Sequence, residues 1–287
     1  MPELPEVETV RRGLAPFIEG ARIESVTLNR PDLRFPFPQD FSQGLEGRTI
    51  SHLGRRAKYL LATLSDGAVW LSHLGMTGTF LVSERLLDEP SRVKKGDQSG
   101  KHVHVKARLI HPQRGPVSLF YSDPRRFGFM DLFTAGTANP FIDTLGPEPL
   151  GNEMDALYLT KKLAGRKGPI KTVLLDQRVI AGLGNIYVCE ALFISGIDPR
   201  RVAGTLEDVE IESLVVSIRQ VLEAAILAGG STLKDFSNTD GQPGYFQHSF
   251  AVYGHEGEPC PRPGCSGTIS RIVQAGRSSF FCPVCQH

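Results

Sequence analysis

The amino-terminal tip, Met-Pro-Glu-Leu-Pro-Glu, carries the residues best suited to covalent chemistry. Residue two is small, so we expect removal of the initiator methionine, which would expose the secondary amine of Pro2 beside the carboxylate of Glu3. An α-amine has a pKa of about 8 and is partly unprotonated at neutral pH, whereas a lysine needs burial to become nucleophilic. Attack of this amine on a sugar C1′ would give an iminium ion that drives elimination, with Glu3 carrying the proton.

Four cysteines near the carboxyl end form the second chemical signal. They follow the pattern Cys260-x4-Cys265-x16-Cys282-x2-Cys285. Two close pairs of thiolates predict a tetrahedral zinc site, closed and structural because no ligand position stays open. Disulfides are the alternative. The grouping of the cysteines in a chain expected to be intracellular disfavours them. The fifth cysteine, Cys189, lies in an apolar run and is predicted to belong to the core.

The segment between the cysteine pairs has the pattern of a β-hairpin. Residues 268–273 and 278–281 can pair across a turn at 274–277 that projects one cation, Arg277. We therefore predict that zinc holds the hairpin and that the hairpin presents Arg277.

A helix is predicted to hold the amino terminus in place. Pro5 suits a first helical turn, and Val7, Val10, Leu14 and Phe17 recur at helical spacing. An ordinary amphipathic helix with an acidic start is the alternative interpretation.

Composition and charge limit the possible classes of protein. A chain of 287 residues with 40% hydrophobic content can bury a large core and is long enough for two domains. No run of eighteen apolar residues and no basic, apolar leader occurs, so we expect no membrane span, no secretory signal and a cytoplasmic location. The net charge of +1 suits a nucleic-acid partner only where cations cluster, as they do at 161–171 and 55–58. Solvated surface charge is the alternative.

Residues 21–133 have the pattern of an all-β region. Short apolar runs alternate with Gly, Pro and Asp turns, which predicts a β-sandwich or barrel, and the polar stretch 84–101 is predicted to be a loop. His102 and His104 would share one strand face, although a polar face is favoured there over a metal site.

Apolar side chains occupy two predicted turns of this region. Met76 lies between glycines in Ser-His-Leu-Gly-Met-Thr-Gly, and Phe127 follows two arginines in Asp-Pro-Arg-Arg-Phe-Gly. An enzyme that extrudes a base from a duplex can fill the gap with such side chains, and a guanidinium can bond the orphaned base. Burial of Met76 is the commoner alternative. Likewise, Lys58 begins a strand, where it would either meet phosphate or extend along the surface.

Helical periodicity begins after a linker near residue 145. Helices are predicted at about 153–164, after Pro169 and after Asn185. A fourth helix, with a capping-box-like start at Thr205 and Asp208, is predicted to run to Gly229, before a long loop at 231–246. Asn185 is predicted to cap the third helix, where free N–H groups would form a phosphate site.

These motifs together resemble the bacterial formamidopyrimidine-DNA glycosylase family over essentially the whole chain. They are MPELPEVETV at the start, the two apolar turns, Gly-Leu-Gly-Asn-Ile-Tyr at 182–187 and the cysteine hairpin. The resemblance implies an α+β fold of an amino-terminal helix plus β-sandwich and a helix-two-turns-helix bundle with a zinc-finger hairpin. The implied domains are 1–145 (catalytic), 146–252 (helical, DNA-binding) and 253–287 (zinc finger).

The resemblance implies a bifunctional DNA glycosylase and abasic-site lyase of base excision repair. It would remove 8-oxoguanine and formamidopyrimidines from duplex DNA by β,δ-elimination, hold one structural Zn²⁺, and work as a monomer in the bacterial cytoplasm, associated with the nucleoid. The implied catalytic residues are Pro2, Glu3, Lys58 and Arg277. The implied DNA contacts are His73, Met76, His102, Arg125, Arg126, Phe127, Arg166, Lys171, Asn185, Tyr187 and Lys234, with Thr232 and Tyr245 also matching the loop that closes over the damaged base.

One departure and two alternatives accompany this interpretation. The first cysteine pair commonly encloses two residues in the family, whereas here it encloses four, 261–264. An endonuclease VIII-type enzyme for oxidised pyrimidines would share Pro2, Glu3 and the zinc hairpin, but Leu4 and the string at 125–127 favour the purine enzyme. A non-catalytic zinc-finger DNA-binding protein would not require Pro2.

Overall fold

The computed structural model describes residues 2–84, 100–231 and 245–287. The chain divides into two compact units. The N-terminal unit comprises residues 1–140 and 229–245, and the C-terminal unit comprises 141–228 and 246–287. In the described residues, no helix is both long and apolar enough to span a bilayer.

In its described residues, the N-terminal unit contains two helices and two antiparallel sheets. The helices are α1 (Leu4–Ile18) and α2 (Phe41–Leu45). The strands are β1 (Arg22–Leu28), β2 (Ile50–Arg56), β3 (Tyr59–Leu64), β4 (Ala68–His73), β5 (Thr79–Ser83), β6 (Val103–His111), β7 (Gly115–Ser122) and β8 (Phe129–Thr134). One sheet has the order β1-β6-β7-β5 and the other β2-β3-β4-β8. The predicted strands of residues 21–133 are therefore confirmed.

Both sheets and α1 share one apolar core. Val7, Val10, Leu14 and Ile18 of α1 are almost fully buried in it. Their spacing puts them on one helix face, so the helix lies against the sheets and its amino-terminal end is held in place. The predicted helix at the start of the chain is confirmed.

The C-terminal unit combines four helices with a hairpin. They are α3 (Ala156–Leu163), α4 (Ile170–Leu174), α5 (Asn185–Ile194), α6 (Asp208–Leu227), β9 (Ser270–Gln274) and β10 (Arg277–Phe281). Ala275 and Gly276 have φ of 48° and 73°, which makes the two-residue turn expected of a tight hairpin. The predicted hairpin is confirmed, and it presents Arg277 as the first residue of β10.

The zinc-finger segment shares the core of the helices. Cys260, Cys282 and Phe280 pack in the same buried cluster as α5 and α6, and Cys189 lies in that core as predicted. The division into units thus differs from the predicted domains, since 253–287 packs with the helices and residues 229–231 belong to the N-terminal unit.

Two predicted helix caps are wrong. Gly184 is the N-cap residue of α5, and Asn185 is its first helical residue. The capping box of α6 consists of Glu207 and Glu210 rather than Thr205 and Asp208, because the helix begins two residues later than the sequence pattern suggests.

Candidate active site and nucleic-acid interface

The two residues that carry the predicted chemistry lie just before α1 and are both buried. Pro2 is buried and Glu3 is 3% exposed. Glu3 and Glu6 form a capping box, in which the Glu3 backbone N–H donates to Glu6 Oε2 at 2.7 Å. Glu6 Oε1 accepts two further bonds from Ser231, from its N–H at 2.8 Å and its hydroxyl at 2.9 Å. The position of the Pro2–Glu3 peptide is therefore determined by several hydrogen bonds.

A carboxylate on α1 connects the helix to the turn that carries Lys58. Glu8 Oε2 accepts from Arg55 Nε at 3.2 Å, and Arg55 Nη1 donates to the Ala57 carbonyl at 2.9 Å. Burial alone would raise the pKa of Glu8, but hydrogen bonds from Arg11 and Arg12 outweigh it and lower that pKa to about 2. Lys58 follows in this turn between β2 and β3 and is 8% exposed.

His73, the last residue of β4, is a neutral imidazole packed between aromatic rings. Its ring stacks on Phe129 at 5.3 Å and contacts Tyr59 at 5.1 Å, and its Nδ1 accepts from the Gly75 N–H at 3.1 Å. Burial, with the positive charges of Lys58 and Arg34, lowers the pKa of His73 to about 4. Because Nδ1 is the acceptor, Nε2 carries the proton and is a donor to any ligand.

Two loops of the N-terminal unit carry the predicted wedge. The Met76 loop (residues 74–78) joins β4 to β5, and the Phe127 loop (residues 123–128) joins β7 to β8. Met76 is half-buried, whereas Arg125, Arg126 and Phe127 are exposed, Phe127 at 43%. The Arg125 guanidinium lies 4.9 Å from the centre of the Phe127 ring. An apolar ring and a planar cation therefore protrude together.

His102, just before β6, and His104, within it, differ in burial and in hydrogen bonding. The pairing of β6 with β7 is irregular between Val103 and Val105, which breaks the alternation. His104 is 5% exposed and its Nε2 donates to the Asp123 carbonyl at 2.8 Å, whereas His102 is half-buried and its carbonyl accepts from the Asp123 N–H. Among the described residues, the four cysteines form the one cluster whose side chains could hold a metal ion.

Lys171 and Asn185 contact the hairpin rather than the surface. Lys171 is fully buried, and its Nζ donates to the Ser278 carbonyl at 2.8 Å and to the Ser279 hydroxyl at 2.7 Å. Asn185 Nδ2 donates to the same carbonyl at 2.9 Å. Ser278 follows Arg277 in the chain, so both side chains hold the backbone beside the exposed Arg277. The direct DNA contact that the resemblance implies for Lys171 does not fit its burial.

The remaining predicted DNA contacts differ in exposure. Arg166 is exposed, and its Nε donates to the Lys162 carbonyl at 3.3 Å. Tyr187 is fully buried, with its ring 5.9 Å from that of Phe246, so its side chain supports the core and a DNA contact does not fit. Lys234 and Thr232 lie outside the described residues, and Tyr245 is 60% exposed.

The four cysteines have the geometry of a zinc site. Their sulfurs lie within 4.8 Å of one another, with Cys260–Cys285 and Cys265–Cys282 separations of 3.7 Å. Four sulfurs bound at 2.3 Å around a tetrahedral ion lie about 3.8 Å apart, so these residues fit one Zn²⁺ with no open position. The predicted structural zinc is confirmed.

The segment between the first two cysteines (residues 261–264, the long knuckle) contributes an arginine, Arg262, to the end of α5. Arg262 Nη2 donates to the carbonyls of Phe193 and Ile194, and its guanidinium lies 5.0 Å from the Phe193 ring. Both carbonyls belong to the last turn of α5, where a cation is favourable. Arg262, one of the four residues between Cys260 and Cys265, thus binds the carboxyl-terminal end of the helix that begins at Asn185.

Sequence reasoning missed two buried carboxylates that organise the backbone, Glu190 and Asp123. Glu190 is 3% exposed and accepts from the backbone N–H groups of Ala251, Val252 and Tyr253, and burial raises its pKa against these bonds. Asp123, the first residue of the Asp-Pro-Arg-Arg-Phe-Gly turn, is fully buried. An acidic residue within an apolar helical run is a signal that could have identified Glu190, whereas Asp123 carries none.

Family models match nearly the whole chain. The formamidopyrimidine-DNA glycosylase N-terminal domain matches residues 1–130, the formamidopyrimidine-DNA glycosylase H2TH domain matches 145–237, and a zinc finger found in FPG and IleRS matches 257–287. Curated relatives are similar over their full length. The formamidopyrimidine-DNA glycosylases of Ruegeria pomeroyi and Rhizobium leguminosarum are 54% and 52% identical to the chain, with 100% of each protein covered.

Solved structures show the same similarity. A complex between the Lactococcus lactis Fpg and DNA containing an abasic site is 36% identical, with a TM-score of 0.86 and 100% of both chains covered. A Lactococcus lactis Fpg mutant bound to DNA containing Fapy-dG has a TM-score of 0.87 at 36% identity, again with 100% of both chains covered. The MutM (Fpg) protein of Thermus thermophilus is 38% identical, with a TM-score of 0.83 and 99% and 98% of the chains covered.

Proposed function

The chain belongs to the formamidopyrimidine-DNA glycosylase family and is thus a DNA glycosylase and abasic-site lyase; from this premise we propose that Pro2 is its nucleophile. The substrate is duplex DNA with an oxidised purine, 8-oxoguanine or a formamidopyrimidine, which agrees with the Fapy-dG and abasic-site DNA bound by relatives. The observation that carries the proposal is the burial of Pro2 and Glu3 at the start of a helix linked through Glu8 and Arg55 to the turn of Lys58.

The reaction begins with extrusion of the damaged nucleotide. The Pro2 amine attacks C1′ and loses its proton, the C1′–base bond breaks, and the base leaves with a proton. The sugar ring then opens, because the C1′–O4′ bond breaks and O4′ takes a proton. The resulting iminium ion is an electron sink, so a proton is lost from C2′ and the 3′ phosphate leaves in the β-elimination. Loss of the 5′ phosphate in the δ-elimination then leaves a one-nucleotide gap, and hydrolysis of the imine frees Pro2.

The surrounding residues have the chemistry that these steps require. Glu3 is a buried carboxylate next to the amine, which suits it to proton transfer. The buried Lys58 binds phosphate and serves the β step, and His73, a neutral donor, contributes a hydrogen bond. Arg277, exposed at the hairpin turn, clamps phosphate and serves the δ step.

DNA contacts extend over both units. Met76, Phe127 and Arg125 fill the gap and bond the orphaned base, while His102, Arg126 and Arg166 bind phosphate. Asn185 and Lys171 support the Arg277 hairpin, and Lys234 is proposed as a DNA contact on the resemblance of its sequence motif. Bound zinc stabilises the hairpin fold and takes no part in the bond changes. We also propose that the enzyme acts as a monomer on the nucleoid in the bacterial cytoplasm.

Trapping with borohydride tests the nucleophile. While Met1 remains, the Pro2 nitrogen is an amide whose lone pair is delocalised, so it cannot form an iminium ion. Two preparations are compared after intact mass confirms their amino termini, one beginning at Pro2 and one with an uncleavable extension. The first should form a covalent complex, trapped by borohydride, with a duplex that contains 8-oxoguanine opposite cytosine. The second should bind this duplex but form no covalent complex. Equal trapping would mean that a lysine such as Lys58 is the nucleophile.

Substrate choice distinguishes the purine enzyme from an endonuclease VIII-type enzyme. The processed protein should trap faster on 8-oxoguanine than on thymine glycol in the same duplex. Preference for thymine glycol would contradict the purine assignment while leaving the Pro2 chemistry intact.

A further inference from the structure

The Met76 and Phe127 loops are in direct backbone contact. Gly75 has a φ of 62°, and a Cβ atom added there would lie 2.3 Å from the backbone nitrogen of Gly128. A Cβ at Gly128 would in turn lie 2.7 Å from the His73 carbonyl. Real Cβ atoms do not approach this closely, so two glycines allow the loops to lie against each other.

A buried carboxylate organises this contact. Asp123, the first residue of the Phe127 loop, is fully buried. Its Oδ2 accepts from the Gly128 N–H at 2.8 Å, which closes the loop on itself, and from the Tyr121 hydroxyl at 3.4 Å. Burial of a charge is costly unless several donors compensate for it, so this set of bonds requires an ordered loop.

The hydroxyl of Thr77 joins the Met76 loop to the Phe127 loop. Thr77 is 7% exposed, and its Oγ1 donates to Asp123 Oδ1 at 2.5 Å. The same oxygen accepts from the Arg125 N–H at 3.2 Å. One side chain from the first loop therefore bonds the second loop at its start and next to its tip, where Arg125 packs on Phe127.

We infer that Thr77 and Asp123 are positioning residues that couple the two loops, so that Met76, Arg125 and Phe127 enter the duplex as one preformed wedge. The inference rests on the wedge assigned in the proposed function. Neither residue needs to touch DNA, because both act through the backbone of the Phe127 loop. A rigid wedge avoids the entropy loss of ordering two loops when the base is extruded.

The test uses a substitution that keeps shape and removes the hydroxyl. Thr77→Val should slow single-turnover excision of 8-oxoguanine paired with cytosine about tenfold, the effect of one hydrogen bond to a charged group. Cleavage of a pre-formed abasic site should change by less than about twofold, because that substrate requires less unstacking. Placing the lesion in an unpaired bubble should restore the rate, and Thr77→Ser, which keeps the hydroxyl, should behave as the wild type.

A matched control and a double variant complete the design. Thr79→Val removes a nearby hydroxyl, 3.5 Å from the Ser122 carbonyl and outside both loops, and should leave excision unchanged. Phe127→Ala should show the same preference for paired lesions as Thr77→Val. In the Phe127→Ala background, Thr77→Val should add little, since the wedge is already lost. Fully additive losses, or equal losses on all substrates, would overturn the coupling.

Amide hydrogen exchange of the DNA-free protein separates this inference from the proposed function. Thr77→Val should speed exchange at Arg125 and Gly128 relative to Thr79→Val. Unchanged exchange at both amides would overturn the coupling whatever the activity. If exchange at these amides is faster in Thr77→Val than in Thr79→Val but the unsubstituted protein releases no damaged base, the coupling is supported and the proposed function is contradicted.

Discussion

Replacement of Lys171 by Met tests whether a buried lysine acts on DNA or on the hairpin. The substitution keeps an unbranched side chain of similar length but removes the ammonium that donates to Ser278 O and Ser279 Oγ. Each bond is worth about 1.5–3 kcal/mol as a hydrogen bond from a charged group. The native fold also bears a desolvation cost of several kcal/mol for this fully buried ion, which Met removes. These terms oppose each other, so the free energy of unfolding should change by about 1 kcal/mol or less.

The expected functional effect concerns the step assigned to Arg277. After the substitution, Asn185 Nδ2 still donates to Ser278 O, so the hairpin keeps one of its bonds to the helices. Loss of about 1.5 kcal/mol of constraint on the Arg277 backbone corresponds to roughly tenfold in a rate. Lys171→Met should therefore shift the products towards β-elimination, with δ-elimination slowed about tenfold.

Salt dependence decides between this role and a phosphate contact. Lys171→Met should leave the dependence of log Kd on log salt unchanged, because a buried amine releases no counterion from DNA. Lys167→Met, at an exposed lysine of the same basic run, should reduce the slope by about one if it meets phosphate, without changing the product ratio. A reduced slope for Lys171→Met together with an unchanged product ratio would refute the reasoning.

Three further predictions concern zinc, pH and the long knuckle. Cys282→Ser or zinc chelation should abolish duplex binding while the fluorescence of Trp70, the single tryptophan, still reports a folded N-terminal unit; exposure of Trp70 on metal loss would contradict this. The pKa of His73 is lowered to about 4 in the folded protein, so the unfolded chain binds a proton at this residue more readily. The contribution of His73 to the free energy of unfolding is therefore complete above pH 7 and decreases as the pH falls from 6.5 towards 4. About 2 kcal/mol should be lost by pH 5 in urea unfolding, and His73→Asn should lack this loss. Arg262→Ala should speed zinc release to a chelator about tenfold by removing bonds to two helix carbonyls, whereas Arg271→Ala, exposed in the hairpin, should not.

Local chemistry could be predicted from the sequence alone. The spacing of the four cysteines predicts the zinc site because ligand type and number are properties of the residues themselves, and the sulfur separations of 3.7 Å agree. The hairpin turn before Arg277 and the apolar face of α1 are also local patterns, so both were predicted correctly. Pro2 and Glu3 are adjacent in the chain, so the chemistry proposed for them could also be formulated from the sequence alone.

Only the tertiary structure decided which cationic side chains are exposed and which are buried in hydrogen bonds to distant residues. Lys171 and Ser278 are 107 residues apart, and no local pattern in a basic run shows that one lysine turns inward to a distant carbonyl. Tyr187 and Asn185 stand in one short motif, yet packing sends the first into the core and the second to the hairpin. Thr77 and Asp123 lie 46 residues apart, and they meet because β4–β5 and β7–β8 bring their loops together. Burial and long-range hydrogen bonds depend on which strands and helices become neighbours, and for these residues the spacing along the chain does not specify that.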